Sequence, residues 1–332
     1  MSPAPEPVIG ELKSSPVIKR HPANPILSHE DVPYPSALTY NAGVTKYQGR
    51  YVMVFRNDLG SFEEQRLEGS NLGLAFSDDG VRWEVQPKPC FEWRDDEVKR
   101  PYDPRLMVMD GRCYMCFAID TRHGVCGGIA VTDDFEKFEV ISTTTPDNRN
   151  MVLFSEKIGG MYIRLERPFP MYSRGRERFD TWITDSADLK YWGNPHLLLA
   201  VEDVPFANTK VGPGAPPVKT PKGWLTTFHA VDRDESRGKN GWEKAWKKRY
   251  TAGIMLLDLE DPRKVIGLCK EPLLAPEAPY EVSGGLRNNV IFPGGMILED
   301  SGEVKIYYGS ADTVECLATA HVDDLLNLCE PV

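Results

Sequence analysis

The side chains with chemistry to offer are one acid in a constrained setting and a set of bases spread far along the chain. Asp103 stands in the run Tyr102-Asp103-Pro104-Arg105, at the entry to the hydrophobic stretch 106–109. Pro104 fixes the local backbone and biases Asp103 towards an extended conformation. An acid held this way can pass a proton, although the plainer role of an aspartate before proline is to bond its own backbone in a turn. The bases are Arg149, Arg167, Lys210 and His229. Brought to one point they would hold an anion, because several charge-assisted donors are what a dianion requires. Apart, each is a surface or salt-bridging residue, so the fold decides.

Composition narrows the fold first. The chain has 332 residues, 41% of them hydrophobic, enough for a large core in one or two domains. Its 28 glycines and 27 prolines separate short alternating and aromatic runs, with no long stretch of 3.6-residue period, and this reads as all-β. A net charge of −10 argues against a nucleic-acid partner. No apolar run approaches the roughly 20 residues of a membrane span, so no membrane partner is expected. Residues 1–16 are polar and Pro-rich, unlike a secretory signal. Seven scattered cysteines suit a reducing cytoplasm. Cys113 and Cys116 have CxxC spacing, but an offset of three within a strand puts them on opposite faces. Buried thiols are therefore expected, and no metal site.

The strands repeat. Each of five copies is a hydrophobic strand, a polar or Gly-bearing turn, and a second, aromatic-rich strand with a polar end. The first strands are 42–47, 106–109, 151–158, 215–218 and 290–298; their partners are 51–55, 113–117, 161–164, 224–228 and 304–308. An acidic turn follows each copy, and its aspartates Asp79, Asp134, Asp188, Asp261 and Asp324 are 55, 54, 73 and 63 residues apart. Four strands per unit at this spacing describe a five-bladed β-propeller. The expected division is an N-terminal extension over 1–23 and a single propeller over 24–332.

A propeller delivers the leading ends of its inner strands to one central pocket. Those ends carry Asn41, Asp103, Arg149-Asn150, Lys210 and Arg287-Asn288-Asn289, a strongly polar group. Two insertions, 170–178 and 232–249, are charged loops. Arg174, Arg176 and Arg178 of the first read as a solvated face. Trp242 and Trp246 of the second read equally well as a sugar platform or as packing within a short helix.

Several motifs resemble glycoside hydrolase family 130, the β-mannoside phosphorylases with a smaller set of mannosidases. They are Tyr102-Asp103-Pro104-Arg105, Asn148-Arg149-Asn150-Met151, Arg164-Leu165-Glu166-Arg167-Pro168, Lys210-Val211-Gly212-Pro213-Gly214, Gly223-Trp224-Leu225-Thr226-Thr227-Phe228-His229 and Tyr307-Tyr308-Gly309-Ser310-Ala311-Asp312. The resemblance runs in order from about residue 24 to 324. It implies Asp103 as proton donor, acting through the sugar's own 3-hydroxyl. It places Arg149, Arg167, Lys210, His229 and Tyr250 on phosphate, and Asn41, Arg56, Asn57, Asp58 and Asp312 on mannose hydroxyls. Planar amides and carboxylates suit hydroxyl pairs, although strand-end capping is their plainer role.

The resemblance further implies inverting phosphorolysis of a β-mannoside to α-mannose 1-phosphate and an acceptor sugar. The expected partners are a mannose-containing oligosaccharide and inorganic phosphate as co-substrate; no cofactor is expected, and a homo-oligomer is compatible. Two alternatives stand beside it. One is a β-mannosidase, which needs a general-base carboxylate, with Glu166 or Asp312 as candidates. The other is a mannoside-binding propeller without catalysis.

Overall fold

Three of the repeated hairpins turn on a residue pair in left-handed backbone. The pairs are Gln48-Gly49 (φ 48° and 83°), Asp110-Gly111 (51° and 76°) and Gly159-Gly160 (59° and 81°). Such turns match the right-handed twist of the strands they join, which is why short polar and glycine pairs recur there. The structure is a computed structural model that describes residues 8–169, 178–238, 240–243 and 245–332. Within them the strands form five antiparallel sheets in a ring, a five-bladed propeller as expected.

Blade 5 is closed from the other end of the chain. Its outermost strand, β1 (Lys19–Arg20), pairs with β21, and the blade's other strands are β19 (Ile291–Leu298), β20 (Glu303–Ser310) and β21 (Val314–His321). Blade 1 comprises β2 (Leu38–Tyr47), β3 (Arg50–Ser61), β4 (Arg66–Ser77) and β5 (Glu84–Val85). Blade 2 runs through β6 (Val98–Met109), β7 (Arg112–Thr121), β8 (Gly124–Thr132) and β9 (Glu139–Thr143). Blade 3 has β10 (Asn148–Leu153), β11 (Tyr162–Pro168), β12 (Thr181–Ser186) and β13 (Gly193–Leu199). In blade 4 the inner edge is split into β14 (Lys210–Pro213) and β15 (Val218–Thr220), both on β16 (Gly223–Arg233), followed by β17 (Lys248–Leu257) and β18 (Val265–Leu268).

Three expectations about the strands and turns need correction. Segment 1–23 is not wholly an extension, because β1 belongs to blade 5 and Ile18 is buried in the main core. The first strand of blade 4 lies over Lys210–Pro213, ahead of the expected 215–218, since Pro216 and Pro217 interrupt pairing there. The acidic turns are equivalent only in blades 1 to 3. In those, Asp79, Asp134 and Asp188 each accept two backbone N–H bonds, beside Ser77, Thr132 and Ser186. In blade 4 that part falls to Asp258, and in blade 5 the chain enters helix α2 (Val322–Leu328) at this point.

The core fills the spaces between blades. One cluster joins Phe154 of blade 3, Trp224 and Phe228 of blade 4 and Tyr308 of blade 5, with Phe154 and Trp224 edge to face at 5.1 Å. Each such side chain contributes about 1.5–3 kcal/mol by leaving water. Cys113 and Cys116 do lie on opposite faces, each buried in a different cluster. Arg178, expected on a solvated face, is buried and bonds the Asn208 carbonyl, while Arg174 and Arg176 lie outside the described residues.

The ring is fastened where β1 meets blade 5. Arg20 binds fully buried Glu281 through Nε at 2.8 Å and Nη2 at 2.9 Å, and Glu277 through Nη1 at 3.0 Å. Removing one partner of a buried pair costs about 3–5 kcal/mol, because the other charge stays uncompensated. Arg20→Met is expected to lose about 3 kcal/mol in urea unfolding, near the low end because the Tyr308 hydroxyl still serves Glu281. An unchanged midpoint would rule out this pair as the fastening.

Candidate active site

Lys210 opens β14 and Arg149 lies at the start of β10, as expected, whereas Asn41 and Asp103 sit on irregularities inside their strands. Pairing slips between Tyr40 and Gly43 in β2, Tyr102 and Arg105 in β6, and Arg149 and Val152 in β10. Within these bulges Asn41, Asp103 and Asn150 take left-handed backbone, at φ 52°, 52° and 57°. Asn and Asp tolerate that conformation better than other residues with a side chain, and a bulge re-aims what it carries. Strand β6 already begins at Val98, so Asp103 lies inside a strand and not at its mouth. It is no turn aspartate.

Asp103 is held from blade 1. Its Oδ1 accepts from Asn41 Nδ2 at 3.0 Å and from Arg56 Nη1 at 3.3 Å. Arg56 in turn makes a two-pronged bond to Asp58, 2.8 Å on each side, and Asp58 also accepts from the Tyr40 hydroxyl at 2.8 Å. The approach of Asn41 depends on Gly309, where a Cβ would stand 2.0 Å from Asn41 Oδ1. Burial works to raise the Asp103 carboxyl, but Arg56, Arg105, Asn41 and Arg149 together hold it below its ordinary value. The opposite holds at Asp312. There burial wins over Arg287 and Arg56, and the carboxyl is raised. Asn57 does not join this group. It is on the other face of β3, donating to the Pro35 carbonyl and to Asn71 Oδ1.

The bases converge from blades 3 and 4. Arg149 and Arg167 are directly opposed across β10 and β11, an arrangement of like charges that costs stability. Arg167 is 1% exposed. Its Nε and Nη2, and Nε of Arg149, are buried without a hydrogen-bond partner among the described residues. Burial and the neighbouring Arg149 pull the Arg167 guanidinium down to about 9. Phe179 lies beneath Lys210 Nζ at 4.2 Å and the Arg167 guanidinium at 5.5 Å, a packing of cations on a ring face. Arg149 is steadied by the Tyr102 hydroxyl at 3.4 Å, which itself donates to Asp120 at 2.8 Å. Tyr250 closes the group, stacked between His229 at 6.0 Å and Trp246 at 5.7 Å.

His229 meets the Arg167 guanidinium. Arginine can only donate, so the 2.8 Å contact from Arg167 Nη1 makes His229 Nε2 an acceptor. Nδ1 then carries the proton and donates to the Pro213 carbonyl at 3.1 Å. Burial and the adjacent guanidiniums keep the ring neutral, well below its ordinary pKa. With both nitrogens engaged, His229 holds Arg167 in place. Gly212 permits the contact, since a Cβ there would stand 2.4 Å from the imidazole.

This geometry can be set beside known proteins. The sequence profile described as beta-1,4-mannooligosaccharide phosphorylase, of glycoside hydrolase family 130, matches residues 15–331. The chain belongs to glycoside hydrolase family 130. It is 33% identical to the beta-1,4-mannooligosaccharide phosphorylase of Ruminococcus albus, over 94% of this chain and 90% of that one. It is 31% identical to the 1,2-beta-oligomannan phosphorylase of Thermoanaerobacter sp., over 87% and 92%. Among solved structures, the beta-1,2-mannobiose phosphorylase of Listeria innocua, in complex with beta-1,2-mannobiose, superposes with a TM-score of 0.80 at 25% identity, covering 94% of this chain and 99% of that one. The chain thus stands among the glycoside phosphorylases.

Two residues of this family 130 site escaped the sequence reading. Arg105 is 2% exposed and donates to three carbonyls, of Gly214 at 2.8 Å, Pro104 at 2.8 Å and Pro293 at 3.2 Å. Glu315 is fully buried and accepts from the Ala42 N–H at 3.0 Å, so it holds the bulge that presents Asn41. The Tyr-Asp-Pro-Arg motif had pointed to Arg105 without a role. Nothing in the local sequence marks Glu315.

Burial pushes the Glu315 carboxyl from 4.5 up to about 8. The folded protein therefore keeps a proton that the unfolded chain gives up. Stability from this source is fully present below about pH 4.5 and is lost as pH rises through about 8. Glu315→Gln retains an acceptor and cannot titrate. Urea unfolding across this range is expected to show a smaller loss for the variant than for the wild type. Parallel curves would mean that Glu315 does not change its protonation there.

Proposed function

We propose that the protein cleaves β-mannosides with inorganic phosphate and inversion, releasing α-mannose 1-phosphate and a free acceptor sugar. The observation that carries this is the pair Arg149 and Arg167, buried, opposed and with unsatisfied N–H groups, beside Lys210 and a single well-held acid. Buried cations without partners are costly unless an anion meets them. Phosphate supplies that anion and also the nucleophile. Its oxygen bonds to the anomeric carbon on the face opposite the leaving oxygen, so a β-bond gives an α-phosphate. The electron pair of the broken bond passes to the glycosidic oxygen. That oxygen takes the proton of the mannose 3-hydroxyl, which Asp103 replaces.

Asp103 must hold a proton for this step, yet Arg56, Arg105 and Arg149 favour its ionised form. A phosphate dianion at Arg149 and Arg167 offsets part of that positive field, so its arrival favours protonation of Asp103. Nucleophile and acid are readied by the same event. Asn41, Arg56, Asp58 and Asp312 are left to fix the mannose hydroxyls. The seven cysteines are all unpaired thiols, in keeping with a cytoplasmic setting.

Hydrolysis is the weaker reading. Glu166 lies on the face of β11 away from Arg167, taken up by Asn148 at 3.0 Å and Arg164 at 2.5 Å. Asp312 is bound to Arg287 at 3.0 Å. Neither is poised to activate water.

Incubation with β-mannobiose or mannosyl-glucose should yield sugar phosphate only when phosphate is present. Equal turnover without it would overturn the proposal. Asp103→Asn is expected to lower kcat by at least about 100-fold with an unaltered circular dichroism spectrum. Near-normal turnover would remove Asp103 from the chemistry. Arg149→Ala should raise KM for phosphate about tenfold or more while changing KM for the mannoside far less; the reverse pattern would contradict its assignment.

A further inference from the structure

The loops between the second and third strands of the blades differ greatly in length. Residues 62–65 join β3 to β4, 122–123 join β7 to β8, and 311–313 join β20 to β21, whereas β16 and β17 are joined by 234–247. Part of this long loop packs back on the protein. It crosses the mouth of blade 5, where the Trp242 N–H donates to the Leu286 carbonyl at 2.9 Å and Trp246 Nε1 to the Asn288 carbonyl at 3.2 Å. Asn240 bonds the same segment twice, to Asn288 at 3.1 Å and Asn289 at 3.2 Å. The loop reaches blade 1, with Trp242 edge to face on Phe62 at 5.4 Å and in one cluster with Tyr40 and Leu286.

At the centre of this span is Arg287. One Nη donates to Asp312 in the pocket at 3.0 Å, and the other pairs with Glu243 of the loop at 2.5 Å. The Trp246 ring packs against the same guanidinium at 4.8 Å. Arg287 is thus pinned from both ends but remains 31% exposed, while Asp312 beneath it is 10% exposed. Glu243 of the loop and Asp312 of the pocket thus flank the guanidinium on two sides. The phosphate-facing bases come from blades 3 and 4, and this wall stands over blades 5 and 1. In an inverting displacement the leaving sugar departs on the side opposite the nucleophile.

We propose that Arg287, Glu243 and Trp242 form the acceptor-recognition wall, selecting a neutral sugar at the leaving-group position and rejecting an acidic one. The assignment rests on the phosphorolysis reading above. The guanidinium supplies fixed hydroxyl donors, the indole supplies an apolar edge for a pyranose face, and Glu243 both orients Arg287 and repels a carboxylate. Glu243 acts through Arg287 and is a positioning residue.

The test runs the reaction in reverse, with α-mannose 1-phosphate and a panel of glucose, mannose, N-acetylglucosamine and glucuronate as acceptors. The wild type is expected to use at least one neutral sugar and to leave glucuronate almost untouched. Glu243→Ala should raise KM for the neutral acceptor about tenfold, keep KM for α-mannose 1-phosphate within about twofold, and improve glucuronate relative to the neutral acceptor about tenfold. Trp242→Ala should raise the acceptor KM alike without improving glucuronate. Equal increases for both substrates, or an unchanged glucuronate ratio in Glu243→Ala, would overturn the wall while leaving phosphorolysis intact. A wild type that forms no product with any acceptor and no sugar phosphate in the forward direction would overturn the functional reading and the wall with it.

Discussion

A single guanidinium holds three blades at the centre of the ring. Arg105 leaves the inner strand of blade 2 and is buried with its N–H groups on the carbonyls of Pro104, Gly214 in the blade 4 inner segment and Pro293 in that of blade 5. Its ring neighbour Phe292 packs at 5.0 Å. Carbonyl oxygens satisfy the donors without removing the charge, so the surroundings must supply negative potential, and Asp103 and Glu315 do so. Because Asp103 is two residues away within the same bulge, the geometry of the acid is tied to the closure of the propeller. A shift of one blade would move both.

That tie explains the division of the pocket. On one side the carboxylates Asp58, Asp103 and Asp312 are interleaved with Arg56 and Arg287, so hydroxyls find both donors and acceptors there. On the other side Arg149, Arg167 and Lys210 gather over aromatic faces, with like charges opposed across β10 and β11. Folding alone would not favour the opposed, incompletely hydrogen-bonded guanidiniums of Arg149 and Arg167. Local conflicts of this kind mark functional sites in an otherwise self-consistent fold.

The repeat was legible because it is local. A strand, a Gly-bearing two-residue turn and a second strand can be read from alternation and turn chemistry, and blades 1 to 3 repeat it with little change. Reading was poorer where strands are short or broken, as in blade 4, and where a strand comes from the far end of the chain, as β1 does. Residue types also went only part of the way. Asn57 is the right type for a sugar ligand but faces the wrong side of β3, and His229 is the right type for an anion but has both nitrogens taken. Periodicity predicts faces within a strand; it does not tell which face the closed ring turns inward.

By itself the sequence determined the five-fold hairpin repeat and the all-β class, since these follow from local propensity, while its motifs singled out one acid and separate bases through their resemblance to a family. Only the tertiary structure decided that bulges aim Asn41, Asp103 and Asn150 from inside their strands, and that His229 orients Arg167. It likewise decided that Trp242, Glu243 and Trp246 reach Leu286, Arg287 and Asn288 ahead of blade 5. The reason is physical. Burial, hydrogen-bond partners and electric field at a channel formed by five separate blades arise from contacts between residues far apart in the chain, and no local pattern encodes them.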